Sequence, residues 1–136
     1  MRNAKLRNSR IPMFAALIFL LGECSKEKQD KIGWLREHLS LTPMQRIENV
    51  YALNNDSGFS ILIDAYEIFM TSINSPEVRK ALVEANPDSL DELRAMDIPE
   101  YNELHANSNI LLKELTRFTL DRRGDWSDAF FEYLLF

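Results

Sequence analysis

The carboxylates of Asp64 and Glu67 are the first candidates for chemistry, because they interrupt an otherwise apolar segment. Lying three residues apart, they would share one side of a helix. Two acids in a desolvated cleft can divide the roles of general acid and general base. The same pair would equally supply the solvent-facing strip of an amphipathic helix. The solvated interpretation is favoured, and a buried acid pair at Asp64 and Glu67 is the weaker, enzymatic hypothesis.

Histidine and cysteine, the other common catalytic and metal-binding residues, form no paired motif. His38 follows Glu37 directly and His105 comes two residues after Glu103, so each pair points to different faces of a helix. A site shared by the two histidines across helices is left open. Cys24 is the only cysteine, and no histidine lies near it in the sequence to activate a thiolate. From these residues we predict no catalytic site, no metal site and no cofactor.

The longest uncharged apolar run, residues 11–22, follows a leader that carries Arg2, Lys5, Arg7 and Arg10 and no acid. A basic stretch followed by an apolar one is typical of a secretory signal or an N-terminal anchor. The run is about 12 residues long, within the 7–15 of a signal core and short of the roughly 20 that span a bilayer. Residues 1–24 are therefore a leader, a membrane anchor or a first core helix that begins near Pro12. The chain is correspondingly exported or membrane-associated, or else cytoplasmic.

The end of this run, Leu20-Leu21-Gly22-Glu23-Cys24, resembles a bacterial lipobox because a cysteine directly follows the apolar residues. A lipobox has a small residue immediately before the cysteine, and here that residue is Glu23. The departure argues against attachment of a lipid to Cys24, and small residues at Gly22 and Cys24 leave ordinary signal cleavage as an alternative.

Residues 25–136 are predicted to form a single acidic helical domain. The chain has 16 basic and 21 acidic residues, of which four and one precede residue 25, so this part carries 12 basic against 20 acidic, or −8. Such a charge argues against nonspecific nucleic-acid binding, which depends on basic residues that neutralise phosphates. We expect a protein partner, and a basic one would be attracted by the acidic surface.

Apolar residues at helical spacing, separated by capping motifs, predict an all-α fold: an irregular bundle of about five to seven helices. Thr42-Pro43 predicts a helix start, and residues 59–73 look apolar enough for the central helix. Ser89 opens a capping box for a short helix that runs to Met96. Gly124 is expected to end the longest helix in a left-handed conformation, and Asp125 to cap the last one. Ile32, Leu35 and Leu39 are expected to share a buried face, and so are the residues of the longest helix at Tyr101, Leu104, Ser108, Leu111, Leu115 and Phe118.

The aromatic C-terminal segment is the surface that most resembles a binding site. It either packs back onto the bundle or offers apolar anchors to a groove in a partner. The candidate partner-binding residues are Trp126, Phe130, Phe131, Tyr133, Leu135 and Phe136.

Together these features predict a noncatalytic helical interaction protein, such as an inhibitor, an immunity factor or a subunit of a complex. It would be exported or membrane-tethered if residues 11–22 direct it there. A cytosolic helical regulator that self-associates is the alternative, and an enzyme that uses buried carboxylates is a third, weaker hypothesis.

Overall fold

The computed structural model describes the backbone of residues 2–26, 30–84 and 97–135, and the side chains of the same residues except 2–7, 82 and 135. This part of the chain contains seven helices and no strand, which confirms the all-α prediction and the irregular bundle of five to seven helices. The helices are α1 (Arg2–Ser25), α2 (Lys31–Leu39), α3 (Pro43–Leu53), α4 (Phe59–Asn74), α5 (Pro76–Glu84), α6 (Pro99–Asp121) and α7 (Asp128–Leu135).

Helix α1 lies in the core of the bundle, where it packs chiefly against α3 and α6. One of its faces carries Ala16, Phe19 and Leu20, all fully or almost fully buried. The helix begins at Arg2, ten residues before Pro12, so the proline lies inside the helix and not at its start. One face of the apolar run of residues 11–22 is therefore packed in the interior, while Met13, Phe14, Leu17 and Leu21 on its other side are exposed.

Contacts along α1 show that it runs parallel to both α3 and α6. Asn8 near its beginning donates a hydrogen bond to the Leu104 carbonyl near the beginning of α6. Further on, the ring of Phe19 lies 4.8 Å from that of Phe118 and 6.1 Å from that of Tyr51, near the ends of α6 and α3. Because the three helices are parallel, the chain must pass from the end of one to the distant start of the next. Helix α4 packs antiparallel to α6 and covers this distance between α3 and α6.

An aromatic cluster closes one end of the core. Tyr51 and Phe118 stack with ring centroids 4.0 Å apart, and Phe19 lies against both. Trp126, in the segment between α6 and α7, completes the cluster at 6.0 Å from Phe19. Aromatic pairs at these separations contribute about 0.5–1.5 kcal/mol each beyond the area they bury.

The capping signals identified several helix boundaries correctly. Thr42 caps α3, its hydroxyl oxygen accepting from the Gln45 backbone N–H while the Gln45 side chain accepts from the Thr42 N–H, and Pro43 occupies the first turn. The long stripe of α6 from Tyr101 to Phe118 is buried as predicted.

Other local expectations were wrong. Helix α6 ends at Asp121 with Arg122 as its C-cap, and Gly124, which has no positive φ, does not close it. Helix α7 is capped by Ser127, whose hydroxyl accepts from the Phe130 N–H, and not by Asp125. Ile32 is 72% exposed, because only the Trp34 and Leu35 side of α2 packs against the core.

Helix α4 was expected at the centre of the bundle, but it lies at the periphery because α1 occupies the centre. The α4 side chains Ile61, Ile68 and Met70 are therefore exposed to solvent. The predicted short helix from Ser89 to Met96 lies outside the described residues.

Candidate functional site

A groove of about 340 Å³ runs between the parallel helices α1 and α6. We call it the α1–α6 groove. Of the described residues that line it, none is charged: on α1 they are Ile11, Phe14, Ala15, Ile18 and Phe19, and on α6 Leu112, Leu115, Thr116, Thr119 and Leu120.

The two rims of the groove leave large apolar side chains in solvent. Phe14 on α1 is 65% exposed and Leu120 on α6 is 61% exposed. The lining also includes the smaller residues Ala15, which is buried, and Thr116, which is exposed. Leu112 in the lining is also exposed, and the exposed apolar side chains Met13, Leu17 and Leu21 on α1 lie outside the lining. A contiguous apolar surface of this kind is typical of an interaction site on a soluble domain.

The polar groups of the groove are turned inward or flank it. The Thr119 hydroxyl donates to the Leu115 carbonyl at 2.8 Å, so it is already used within α6. Exposed basic residues flank the groove at Arg10, beside Ile11; at Lys113, beside Leu112; and at Arg123, shortly after Leu120. The lining of the groove is thus uncharged, and three exposed basic residues lie close to it in the sequence, together with the exposed Asp121, which is paired with Arg117.

The α6 acids Glu114 and Asp121 form ion pairs with Arg117 of the same helix. Its guanidinium lies 3.0 Å from Glu114 and 2.6 Å from Asp121, and it also reaches Asp56 in the loop between α3 and α4 at 2.8 Å. The buried Tyr51 hydroxyl donates to Glu114 at 3.2 Å. Burial and the neighbouring Glu114 raise the pKa of Tyr51, so this phenol stays protonated.

Glu23, the residue that departs from the lipobox pattern, is a buried carboxylate that three hydrogen-bond donors contact. It accepts hydrogen bonds from Trp126 Nε1 at 2.9 Å, Asn54 Nδ2 at 2.7 Å and Lys26 Nζ at 3.0 Å. Burial acts to raise the pKa of Glu23, but the bonds from Trp126 and Asn54 and the charge of Lys26 outweigh it, and the pKa falls below its usual value. The carboxylate thereby joins α1 to α3 and to the segment before α7.

A second buried polar contact joins the other end of α1 to the bundle. Asn8 and Asn107 lie side by side, with Asn107 Nδ2 3.4 Å from Asn8 Oδ1 and 2.7 Å from the Ala65 carbonyl. Asn8 in turn donates to the Leu104 carbonyl at 3.2 Å. These bonds fix the register of α1 against α4 and α6, because a shift by one turn would leave the amides without partners.

The acid pair of the enzymatic hypothesis is not buried. Asp64 and Glu67 are both exposed on the outer side of α4, where they border a shallow surface depression with Ile68 and Thr71. The reason is that α4 packs against α6 through its opposite face, at Leu62, Ala65 and Phe69. The structure therefore does not provide the desolvated cleft that this hypothesis needs.

The predicted partner-binding residues of the C-terminal segment have different surroundings. Trp126 is 2% exposed and belongs to the core, so it is not available to a partner. Phe130 and Phe131 are half-buried against it, with ring centroids 5.2 Å and 6.1 Å from Trp126. Tyr133 is 86% exposed. The side chain of Leu135 and the whole of Phe136 lie outside the described residues.

The histidines and the cysteine have structural surroundings. His38 stacks on Trp34 at 3.9 Å and its Nδ1 lies 2.8 Å from the Trp34 carbonyl, while His105 packs beside Tyr101. Cys24 is buried, its sulfur 3.8 Å from the Lys31 carbonyl. Across the described ranges, no cluster of three or more histidine, cysteine or acidic residues could hold a metal ion.

Sequence reasoning missed the groove because it treated the apolar run as uniform. Helical spacing does separate Phe14, Leu17 and Leu21 from the buried Ala16, Phe19 and Leu20, and that two-sided pattern was the available signal. What the sequence does not contain is the position of α6, which supplies the other wall.

Of the helices in the part of the chain that the structure describes, none combines the length and the apolar character needed to cross a bilayer. Comparison with protein-family models, with curated proteins and with solved structures found no match.

Proposed function

We propose that this chain is a noncatalytic helical interaction protein that binds a partner protein through the α1–α6 groove. In such proteins a helix or loop of the partner inserts apolar side chains into a groove between helices. An inhibitor, an immunity factor or a subunit of a complex would work in this way, by surface complementarity and without chemistry of its own.

The observation that carries the proposal is the exposure of Phe14 and Leu120 on facing rims of one uncharged groove. Single exposed apolar residues are common on protein surfaces and need no explanation. Here they line one groove with the exposed Leu112, and Leu17 and Leu21 follow Phe14 at helical spacing on α1. Exposing these side chains together to water costs free energy that a bound partner would recover.

A polar small molecule is a poorer candidate for this groove. Small-molecule sites place a few polar groups where they can orient the ligand. In the α1–α6 groove, the Thr119 hydroxyl is engaged by the Leu115 carbonyl and the other lining residues except Thr116 are apolar. This composition suits apolar side chains of a partner protein.

The test is capture of partners from the native host by the full chain, compared with the double variant Phe14→Glu, Leu120→Glu. Because both side chains are largely exposed, we expect unfolding free energies within about 1 kcal/mol of the parent. The variant Ile68→Glu, on the exposed side of α4, is the matched control. We expect the groove variant to lose a partner that both the parent and the control retain.

Retention of every captured protein by a folded Phe14→Glu, Leu120→Glu variant would contradict the proposal. Loss of the same protein by Ile68→Glu would also contradict it, because the binding surface would then lie on α4 or depend on apolar exposure in general.

A further inference from the structure

The charges that flank the α1–α6 groove indicate what kind of partner it accepts, and this inference rests on the proposed function. We propose that the occupant is an acidic amphipathic helix, whose apolar stripe fills the groove while its carboxylates face Arg10, Lys113 and Arg123. This differs from the sequence-based expectation of a basic partner, which considered only the net charge of the chain.

The charged residues on the α1 wall of the groove are basic. Helix α1 has no acid before Glu23, and Glu23 is buried, with its carboxylate bound by Trp126, Asn54 and Lys26. The exposed Arg10 lies next to the groove-lining Ile11. The α1 wall is therefore basic wherever it carries charge.

The α6 wall has the same sign for a different reason. Arg117 holds Glu114 and Asp121 towards Asp56 and the loop between α3 and α4, away from the residues that line the groove. The exposed charged residues closest in sequence to the lining residues Leu112 and Leu120 are Lys113, Asp121 and Arg123. Of these, the acid Asp121 is ion-paired with Arg117 at 2.6 Å. The acids of α7, Asp128 and Glu132, belong to neither wall.

The shape of the groove favours a helix over a flat surface. Two parallel helices, α1 and α6, form its walls, and a third helix can place side chains spaced by three and four residues between them. An anionic bilayer would instead need a convex apolar face that dips into the headgroups. In this molecule the lining includes the buried Ala15, Phe19 and Leu115 as well as the exposed Phe14 and Leu120, so the apolar surface is recessed between the two helices.

The probes for a direct test are two designed helical peptides of about 18 residues with identical leucine stripes at three- and four-residue spacing. One carries glutamate at all other charged positions and the other carries lysine, and their helicity is matched by circular dichroism. Binding of each to the full chain is measured by fluorescence anisotropy at low and high salt.

Net charge alone favours the lysine peptide, because the whole chain carries −5. If the groove edges decide, the glutamate peptide binds at least about tenfold more tightly at about 50 mM salt, and the difference shrinks below about threefold at about 500 mM. We expect Arg10→Glu, Lys113→Glu, Arg123→Glu to reverse the order, and Phe14→Glu, Leu120→Glu to abolish binding of both peptides.

Tighter binding of the lysine peptide to the parent would overturn the proposal. So would binding of the chain to vesicles of phosphatidylcholine and phosphatidylserine that Phe14→Glu, Leu120→Glu abolishes while neither peptide binds, since the groove would then serve a lipid surface. Dimerisation in sedimentation experiments that the same variant abolishes would assign the groove to a second copy and would overturn it as well.

These failures are distinguishable from failure of the proposed function. If the groove variant loses its native partner but the glutamate peptide is not preferred, only the acidic-helix inference is wrong. If the groove variant keeps every native partner, the proposed function itself is wrong.

Discussion

Single residues determine how α1 is held, and Glu23 is the clearest case. Its carboxylate accepts from Trp126, Asn54 and Lys26 in an environment closed to water. Burying a charge costs free energy unless hydrogen-bond donors surround it. Neutralising Glu23 would weaken the hydrogen bonds that these three donors make to its carboxylate.

We expect Glu23→Gln to lower the free energy of unfolding by about 1–3 kcal/mol at pH 7, because a neutral amide oxygen would replace the charged Oε1 to which Trp126, Asn54 and Lys26 all donate. The pKa of Glu23 in the folded chain lies below its usual value of 4.5, so ionised Glu23 stabilises the fold above that pH. This contribution is lost as the pH falls through the folded-state pKa. Urea unfolding should therefore show a difference between parent and variant that is largest at pH 7 and shrinks in the acid range. A difference that stays constant or grows on acidification would contradict this role.

Arg117 is the second residue whose substitution should lower the stability of the fold. It is the cation for Glu114, Asp56 and Asp121, and the hydrogen bonds to Glu114 and Asp56 raise the pKa of its guanidinium, which remains charged. Arg117→Met keeps the aliphatic stem but leaves the buried Glu114 without its cation, so we expect a loss of about 1–3 kcal/mol in urea unfolding. The value stays moderate because the Arg117 side chain is partly exposed to water.

Lys80 provides the control for Arg117. It pairs with Glu84 at 3.8 Å on the surface of α5, and both side chains are exposed. Lys80→Met should change the unfolding free energy by less than about 0.5 kcal/mol. Equal effects of the two substitutions would mean that the Arg117 cluster does not contribute to stability.

At the scale of the element, α1 is built to let Trp126 approach it closely. A Cβ atom added at Gly22 would lie 2.5 Å from the Trp126 ring, whereas one added at Gly124 would meet no atom within 4 Å. Gly22 is therefore required for close packing and Gly124 is not, although the sequence pattern predicted that Gly124 would be the glycine with a special conformation.

We expect Gly22→Ala to destabilise the fold by about 1–3 kcal/mol, because the methyl group displaces Trp126 and outweighs the gain in helix propensity. Gly124→Ala should be neutral or stabilising by up to about 1 kcal/mol, since it reduces the freedom of the unfolded chain without a clash. Thermal unfolding followed by circular dichroism distinguishes the two. A stabilised Gly22→Ala protein would show that Trp126 does not pack against α1.

Local sequence patterns predicted the individual helices more accurately than their arrangement in the bundle. Thr42, Pro43 and Gln45 predicted the start of α3, because capping depends on residues a few positions apart. The stripe of α6 was also predicted from spacing. By contrast, α4 was expected at the centre from its composition, yet α1 lies there, because the choice between two apolar helices is made by long-range packing that no local window contains. The groove depends on the same long-range pairing of α1 with α6.

At the scale of the whole molecule, the bundle depends on α1. Ala16, Phe19 and Leu20 fill the space between α3 and α6, and burying each large apolar side chain stabilises the fold by about 1.5–3 kcal/mol. Since small domains are stable by only about 5–15 kcal/mol, we expect deletion of residues 1–24 to abolish cooperative urea unfolding. A truncated chain that unfolds cooperatively near the parent midpoint would show that residues 25–136 fold without α1.

We propose the α1–α6 groove as the surface through which this molecule binds its partner. Chemical-shift mapping by NMR tests it most directly, with the ¹⁵N- and methyl-labelled full chain titrated with the glutamate peptide at low salt. We predict that the largest shifts fall on Phe14, Ile18, Leu112 and Leu120 and that the exposed face of α4 around Ile68 is unaffected. Shifts centred on α4, or no shifts in the groove at saturating peptide, would contradict the account.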